Sequence, residues 1–527
     1  MNEQQKNWFD NLYEIRNKTA TTLMNDFAVG NIWNSVVEKY SDQAHFIYEL
    51  LQNADDSKAT KSAFELTEKG LYFNHNGIKH FWVSNPASEK EDQEKNQLGD
   101  INAITAVAQS NKKDLSTIGK FGVGFKAVFQ YTETPHIYDP NFRFKIERFI
   151  VPVKLEIDLK DRKANETVFY FPFDKNEMSA TKAYSDILEK LKKLVYPTLF
   201  LTNLQEVLWK TESESGTYLK ETKEKVEYEN IICEKIELLQ EVGLNTSNEK
   251  VILFTRFKEN QPYTYSIGYF LDKRGEKLVP KPIHAFCFFP TNEVTNLNFI
   301  LHAPFLLTDS REGIKKGQTD GWNEDLIVKL AQLAADSLLI LKDLKLINDD
   351  IVEIIPYKQP VEFFAAFYNT IKKKFENEEL LPSKDGSYIK KDNAYWASVP
   401  KLAELFSNDQ LTDILEDEEI NKWVFTLKGR DEILRGNKEL ADYIDSITNI
   451  WIDEKDLLTG WSYENGDKQN GITRKFIEKQ NDEWLVSFYS WISDTDGRKK
   501  FAKDKPFFLN HQRKAASAFD QSNKLIL

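Results

Sequence analysis

Apolar residues recur at helical spacing through much of the first sixty positions. They predict helices over Trp8–Asn17, over Thr21–Tyr40 and around Glu49, where His45, Phe46, Ile47, Leu50, Leu51 and Ala54 share one side. Short apolar runs then read as strands at Leu71–Phe73 and Glu166–Pro172, with a helix-like run at Ile101–Val107 between them. A helix is expected over Ala180–Leu199, where Leu188, Leu191 and Leu194 lie along one side. Strands follow at Val207–Trp209, Leu219–Ile231, Val251–Phe257 and Tyr263–Leu271. The run Asn323–Leu341 predicts a long helix with Leu326, Leu330, Leu333 and Leu338 as its apolar stripe. Beyond about Ile354, aromatic residues and alternating charge predict a mostly helical core. No internal repeat or Gly/Ser linker stands out.

Two segments carry candidate chemistry. In the helix around Glu49, Glu49 and Asn53 are four residues apart and so share the face opposite the apolar side. A carboxamide oxygen at Asn53 suits a hard, hydrated magnesium ion, and a carboxylate one turn earlier can orient or deprotonate a water aimed at a phosphate. Downstream, Gly119, Gly122 and Gly124 fall where a backbone could approach phosphate oxygens closely and offer its amides.

Together these segments, Glu49–Thr60 (ELLQNADDSKAT) and Ile118–Phe129 (IGKFGVGFKAVF), resemble the GHKL, or Bergerat-fold, ATPases. That superfamily holds gyrase B, the ninety-kilodalton heat-shock chaperone, MutL and the sensor histidine kinases; the wording here is similar to its sacsin-type and chaperone-type branch. The resemblance implies an α+β chain. Residues 1–205 would form a Bergerat-type α/β sandwich, a mixed sheet with helices on one face. Residues 206–345 would form a chaperone-like α/β middle domain, and 346–527 a mostly helical region without an assigned role. It also implies ATP and Mg2+ as cofactors. Glu49 matches the catalytic glutamate, Asn53 the magnesium ligand and Asp56 the acid closing the first motif. Gly119, Lys120, Phe121, Gly122, Val123, Gly124 and Phe125 match the glycine segment that ends the nucleotide lid.

Between the two motifs the family carries an aspartate–glycine step that reads the adenine amino group. Here Asn74-His75-Asn76-Gly77 stands in that place, so His75, Asn76 and Gly77 become the candidates and the aspartate is missing. The acceptor is then a neutral imidazole nitrogen, the Asn76 amide oxygen or an ordered water. The lid would run from about Ser84 to Ile118. Within it, Ser110 and Lys112 match the family's S-x-K step, which makes Lys112 a phosphate contact, and Thr167 matches the threonine whose hydroxyl helps hold the adenine.

Phe286–Pro290, Leu297–Ile314 and Gly321–Asn323 resemble the middle domain of the same relatives, in which an arginine reaches the nucleotide from the neighbouring domain; Arg311 matches it. A guanidinium there neutralises charge building on the γ-phosphoryl oxygens. The implied activity is slow, Mg-dependent ATP hydrolysis that drives lid closure in a conformational switch. A protein client or effector would be its target, and a second copy could join across the amino-terminal segment. Two other classes stay open. A nucleotide-binding sensor with little hydrolysis is favoured by His75 and opposed by Glu49. A DNA-processing clamp like MutL or the topoisomerases is opposed by the net charge of −13 over 527 residues.

Composition adds outer limits. The chain is long enough for two to four domains, and 41% hydrophobic residues supply the cores. Cys233 and Cys287 lack metal spacing and read as buried reduced thiols. No stretch approaches bilayer-spanning length, so a soluble, cytoplasmic protein without membrane partners is expected.

Overall fold

The computed structural model describes residues 2–25, 45–106, 125–160, 162–258, 261–308, 312–317, 321–358, 362–417, 419–424, 428–459, 461–462 and 469–518. The chain divides into two compact units. The first comprises Met1–Lys273, His284–Val294 and Ile300–Leu326; the second comprises Arg274–Ile283, Thr295–Phe299 and Ile327–Leu527. Both helices and strands contribute, so the architecture is mixed α+β.

The first unit opens with α1 (Glu3–Asn25) and α2 (His45–Asp56). Next come β1 (Lys61–Thr67), β2 (Gly70–His75), the short α3 (Glu89–Glu94) and α4 (Asp100–Ile104), and a 3-10 turn at Phe125–Gln130. β3 (His136–Tyr138), β4 (Arg143–Glu147), β5 (Val151–Lys154) and β6 (Thr167–Pro172) follow, then α5 (Ala180–Lys192) and the strands β7 (Glu206–Lys210), β8 (Ser215–Tyr228), β9 (Ile231–Val242), β10 (Asn245–Arg256) and β11 (Tyr265–Leu271). With Phe289–Val294, His284–Cys287 and Ile300–His302 they form one large mixed sheet. In that order these three precede β11-β10-β9-β8-β7-β1-β2-β6-β3-β4-β5. The β1–β7 pair is parallel, as is His284–Cys287 with Ile300–His302; the other neighbours along this path are antiparallel. The boundary expected at 205/206 falls just before β7, inside this continuous sheet.

Alternation sets the inner face of β1, β2 and β6. Leu66, Leu71 and Phe171 form one cross-strand row and Phe64, Phe73 and Phe169 the next, all buried. Phe9 and Leu12 of α1, the apolar side of α2, and Ala183, Ile187 and Leu191 of α5 share this core. On the other face, Tyr72 and Tyr170 stack with ring centroids 4.3 Å apart.

Several elements depart from the sequence expectation for local reasons. The helix expected over Ala180–Leu199 ends at Lys192. Tyr196, next to Pro197, has φ 43°, and the residue before a proline is kept out of the helical region. The strand expected over Leu219–Ile231 is two strands turning at Glu229, where φ is 51°. The first two expected helices are partly one, since α1 runs unbroken from Glu3 to Asn25; the rest of Thr21–Tyr40 lies outside the described residues.

The second unit contains helices joined by short strand pairs. Its core gathers Trp423, Phe406, Phe488 and Trp491. Two of its hairpins share one plan that the sequence did not reveal. In the first, Pro382 pairs with Tyr388, Ser383 N–H bonds Ser387 O and Gly386 has φ 78°. In the second, Leu509 pairs with Ala515, Asn510 N–H bonds Lys514 O and Arg513 has φ 55°. The sequences have little in common beyond that turn geometry. Among the described residues, no helix is long and apolar enough to cross a membrane.

Candidate functional site

α2 is buried on every side. Its apolar residues Phe46, Ile47, Leu50, Leu51 and Ala54 enter the core, and the opposite face, with Glu49, Gln52 and Asn53, is also withdrawn from solvent. Acids and amides are seldom buried without a task, because desolvation is costly unless a partner compensates. The Asn53 main-chain carbonyl receives Ser57 N–H at 3.0 Å and the Ser57 hydroxyl at 2.8 Å. Its side-chain Nδ2, by contrast, is buried with no hydrogen-bond partner among the described residues. The same carboxamide carries an amide oxygen, a hard donor of the kind a magnesium ion takes, one helical turn from the Glu49 carboxylate.

The end of α2 is fastened to the turn after β2. Ser57 O accepts from Ile78 N–H at 2.9 Å and from Lys79 N–H at 3.2 Å. Gly77 lies against that contact so closely that a Cβ there would stand 2.7 Å from Ser57 Cβ and 2.8 Å from Ser57 O. Only glycine lets the turn approach the helix end. The fold thus brings together the Glu49–Asp56 motif and the Asn74–Gly77 segment, nominated separately in the sequence.

At the same end of the sheet the aromatic rows give way to a polar one. Ser62, His75 and Thr167 pair across β1, β2 and β6, and Asp139, one residue beyond β3, extends the row; all four are buried. The Thr167 hydroxyl donates to Asp139 Oδ2 at 2.7 Å, Asn141 N–H donates to Asp139 Oδ1 at 2.9 Å, and His80 Nδ1 lies 3.4 Å from Oδ2. Ser62 Oγ has no hydrogen-bond partner among the described residues. His75 Nδ1 accepts Gly77 N–H at 3.1 Å, so the neutral ring carries its proton on Nε2. Burial, aided by the nearby His80, pushes the His75 pKa down to about 4.

The other candidates are placed as follows. Asn76 Oδ1 accepts from Thr60 N–H and Lys61 N–H, both at 3.0 Å, and its Nδ2 donates to Thr60 Oγ1, so its carboxamide opens β1. Asp56 is the half-buried last residue of α2. Phe125 is buried against Phe169 and Phe171. Lys112, Gly119, Lys120, Phe121, Gly122, Val123, Gly124 and Arg311 lie outside the described residues. The flanks of Arg311 are described: Thr308 N–H bonds Gly313 O, and Asn292 N–H bonds Glu312 O at 2.6 Å.

Three residues that the sequence reading passed over position this site. Asp55, overshadowed by Asp56, takes Asn203 N–H at 2.6 Å, Leu204 N–H at 2.7 Å and Thr202 N–H at 3.2 Å, tying α2 to the loop before β7. Lys126 Nζ, buried, donates to Ile104 O at 2.7 Å and Phe149 O at 2.6 Å, and desolvation lowers its pKa to about 7. Asp139 stands in Asp-Pro-Asn, which reads only as a turn.

Residues 29–146, which span the α2 motif, the β2 turn and β3, match the Sacsin domain family. The chain is also similar to the protein NO VEIN of Arabidopsis thaliana, 27% identical over 338 residues, which covers 57% of this chain and 11% of that protein. To sacsin of Homo sapiens it is 29% identical over 112 residues, 20% of this chain and 2% of sacsin. The matched stretches are thus small parts of much longer relatives.

Proposed function

We propose that the first unit is a GHKL-type, Bergerat-fold ATPase that binds ATP with Mg2+ and hydrolyses it slowly. The observation that carries this reading is the burial of Asn53, whose Nδ2 has no partner among the described residues, one turn from Glu49 on a helix whose end is fastened to the Gly77 turn. Likeness to Sacsin-domain proteins supports it. Asn53 would hold the metal, which supplies neutralisation of phosphate charge when bound. Glu49 positions a water and takes its proton during in-line attack. Gly77 lets the β2 turn close on the end of α2 and so sets the site's floor, and Thr167 holds the base. By resemblance, Lys112 and the segment Gly119–Phe125 close on the phosphates, and Arg311 steadies the γ-phosphoryl charge. These groups come from separate stretches of chain and must converge before turnover, which makes hydrolysis slow. The output is a conformational change acting on a protein client or effector.

The test is Mg-dependent ATP turnover of the full chain and of Glu49→Ala. Loss of a general base predicts a fall of about 100-fold or more in the variant. Equal turnover in the two proteins would remove Glu49 as the base. Binding without turnover in the parent would make the chain a nucleotide sensor instead.

A further inference from the structure

We propose that Asp139 sets the base preference of this site by fixing the direction of the Thr167 hydroxyl, so that Thr167 Oγ1 faces the ligand as an acceptor only and selects an exocyclic amino group. The proposal rests on the nucleotide reading above.

The argument is a count of protons. A base with an amino group needs an acceptor, and β2 no longer provides a carboxylate for it. His75 cannot serve, since Nδ1 is taken by Gly77 N–H and Nε2 carries the ring proton. Asn76 cannot serve either, as both lone pairs of its amide oxygen are engaged by Thr60 and Lys61. Thr167 remains, directly opposite His75 in the β2–β6 register. A hydroxyl alone is ambiguous because it can turn to donate or accept. Here the ambiguity is removed: its one proton goes to Asp139 Oδ2 at 2.7 Å, and among the described residues nothing else takes its lone pairs. Asp139 is itself held at both oxygens, by Asn141 N–H on Oδ1 and by the Thr167 hydroxyl on Oδ2, so it cannot rotate freely. The acid that favours an amino group has moved from β2 to the end of β3 and acts through the threonine. His75 adds an Nε2–H donor beside it, the group that a ring nitrogen accepts from.

Asp139→Asn inverts this arrangement. The fixed Asn141 N–H requires the single carbonyl oxygen, which leaves the new NH2 facing Thr167. Thr167 then accepts from it and turns its own proton toward the ligand, where it favours a carbonyl. The experiment is calorimetric titration of the full chain with Mg·ATP and Mg·ITP, which differ in the base by an amino group against a carbonyl and, beside it, by a bare N1 against N1–H. The parent is expected to bind ATP at least about tenfold more tightly than ITP, and Asp139→Asn to lower that ratio several-fold, the His75 donor still favouring the bare N1 of ATP. In a Thr167→Val background, Asp139→Asn should leave the ratio unchanged, because the relay is gone. Equal weakening of both nucleotides by Asp139→Asn, with the ratio kept, overturns the proposal and assigns Asp139 a purely structural part. Should Asp139→Asn fail to fold, Thr167→Val alone decides: its ratio must fall toward one, and an unchanged ratio overturns the proposal. Failure of the parent to bind either nucleotide would remove the nucleotide reading and this proposal together, a result distinct from the kept ratio.

Discussion

Gly77→Ala probes the fastening of α2 to the β2 turn. The new methyl would lie 2.7 Å from Ser57 Cβ, 2.8 Å from Ser57 O and 2.9 Å from His75 Nδ1. Two of these neighbours are main chain or side-chain stem, and the third is a ring locked in the sheet, so the turn must withdraw. Forcing one extra methyl into a packed place costs about 1–3 kcal/mol. Withdrawal also strips His75 Nδ1 of its only donor, Gly77 N–H, and a buried nitrogen left without a partner costs about 1–3 kcal/mol more. The sum is about 2–6 kcal/mol, concentrated at the end of α2 and the start of the turn. Hydrogen exchange read by mass spectrometry reports it locally: peptides covering 49–58 and 72–80 should exchange at least about 30-fold faster than in the parent. Gly497→Ala, where nothing lies within 4 Å of the added carbon, is the control and should leave those peptides unchanged. Rates within threefold of the parent in Gly77→Ala would refute the close approach as described.

Asp55→Ala removes an anionic acceptor from three main-chain amides. The unfolding free energy of the first unit should drop by about 2–4 kcal/mol, read from chemical denaturation; a drop under 0.5 kcal/mol would show that the loop before β7 does not need it. Acid should weaken the fold through two buried histidines. Desolvation holds His75 at about 4 and His302 at about 3, both below the ordinary 6.5. Their contribution is therefore fully present above pH 6.5 and is lost as pH falls, at about 1.4 kcal/mol per unit for each ring until its folded pKa is reached. His302→Gln should remove about half of that slope between pH 6.5 and pH 4; an unchanged slope would place the acid sensitivity elsewhere.

How far the sequence disclosed this molecule depended on whether local pattern or distant partner decided each element. The apolar spacing through Phe46, Leu50 and Ala54 sufficed for α2, and the leucine stripe for the helix Trp322–Asp343. The Lys/Glu run of β8 was expected as a strand, but β9 beyond Ile231 and the start of β10 carried no expectation. Charges of β8 and β9 pair across the strands, as in Lys225–Glu234 and Lys235–Glu224, while Ile231, Cys233, Ile236 and Leu238 of β9 are buried. For the site, Glu49, Asn53 and Gly77 were nominated by wording and spacing. What the spacing could not carry was direction: Asn76 looks toward β1 and Phe125 into the core, while the roles of Asp55, Asp139 and Lys126 arise from contacts 28 to 149 residues away or with main chain on other elements.

The Lys126 ammonium has a consequence for how this architecture can vary. It binds the end of α4 to the 3-10 turn at Phe125–Gln130 and, through Phe149 O, to the stretch between β4 and β5. Closing entropy grows only slowly with length, about 0.6 kcal/mol per doubling. Posts pinned to one another in this way leave the register of the sheet nearly independent of how many residues separate them in the sequence.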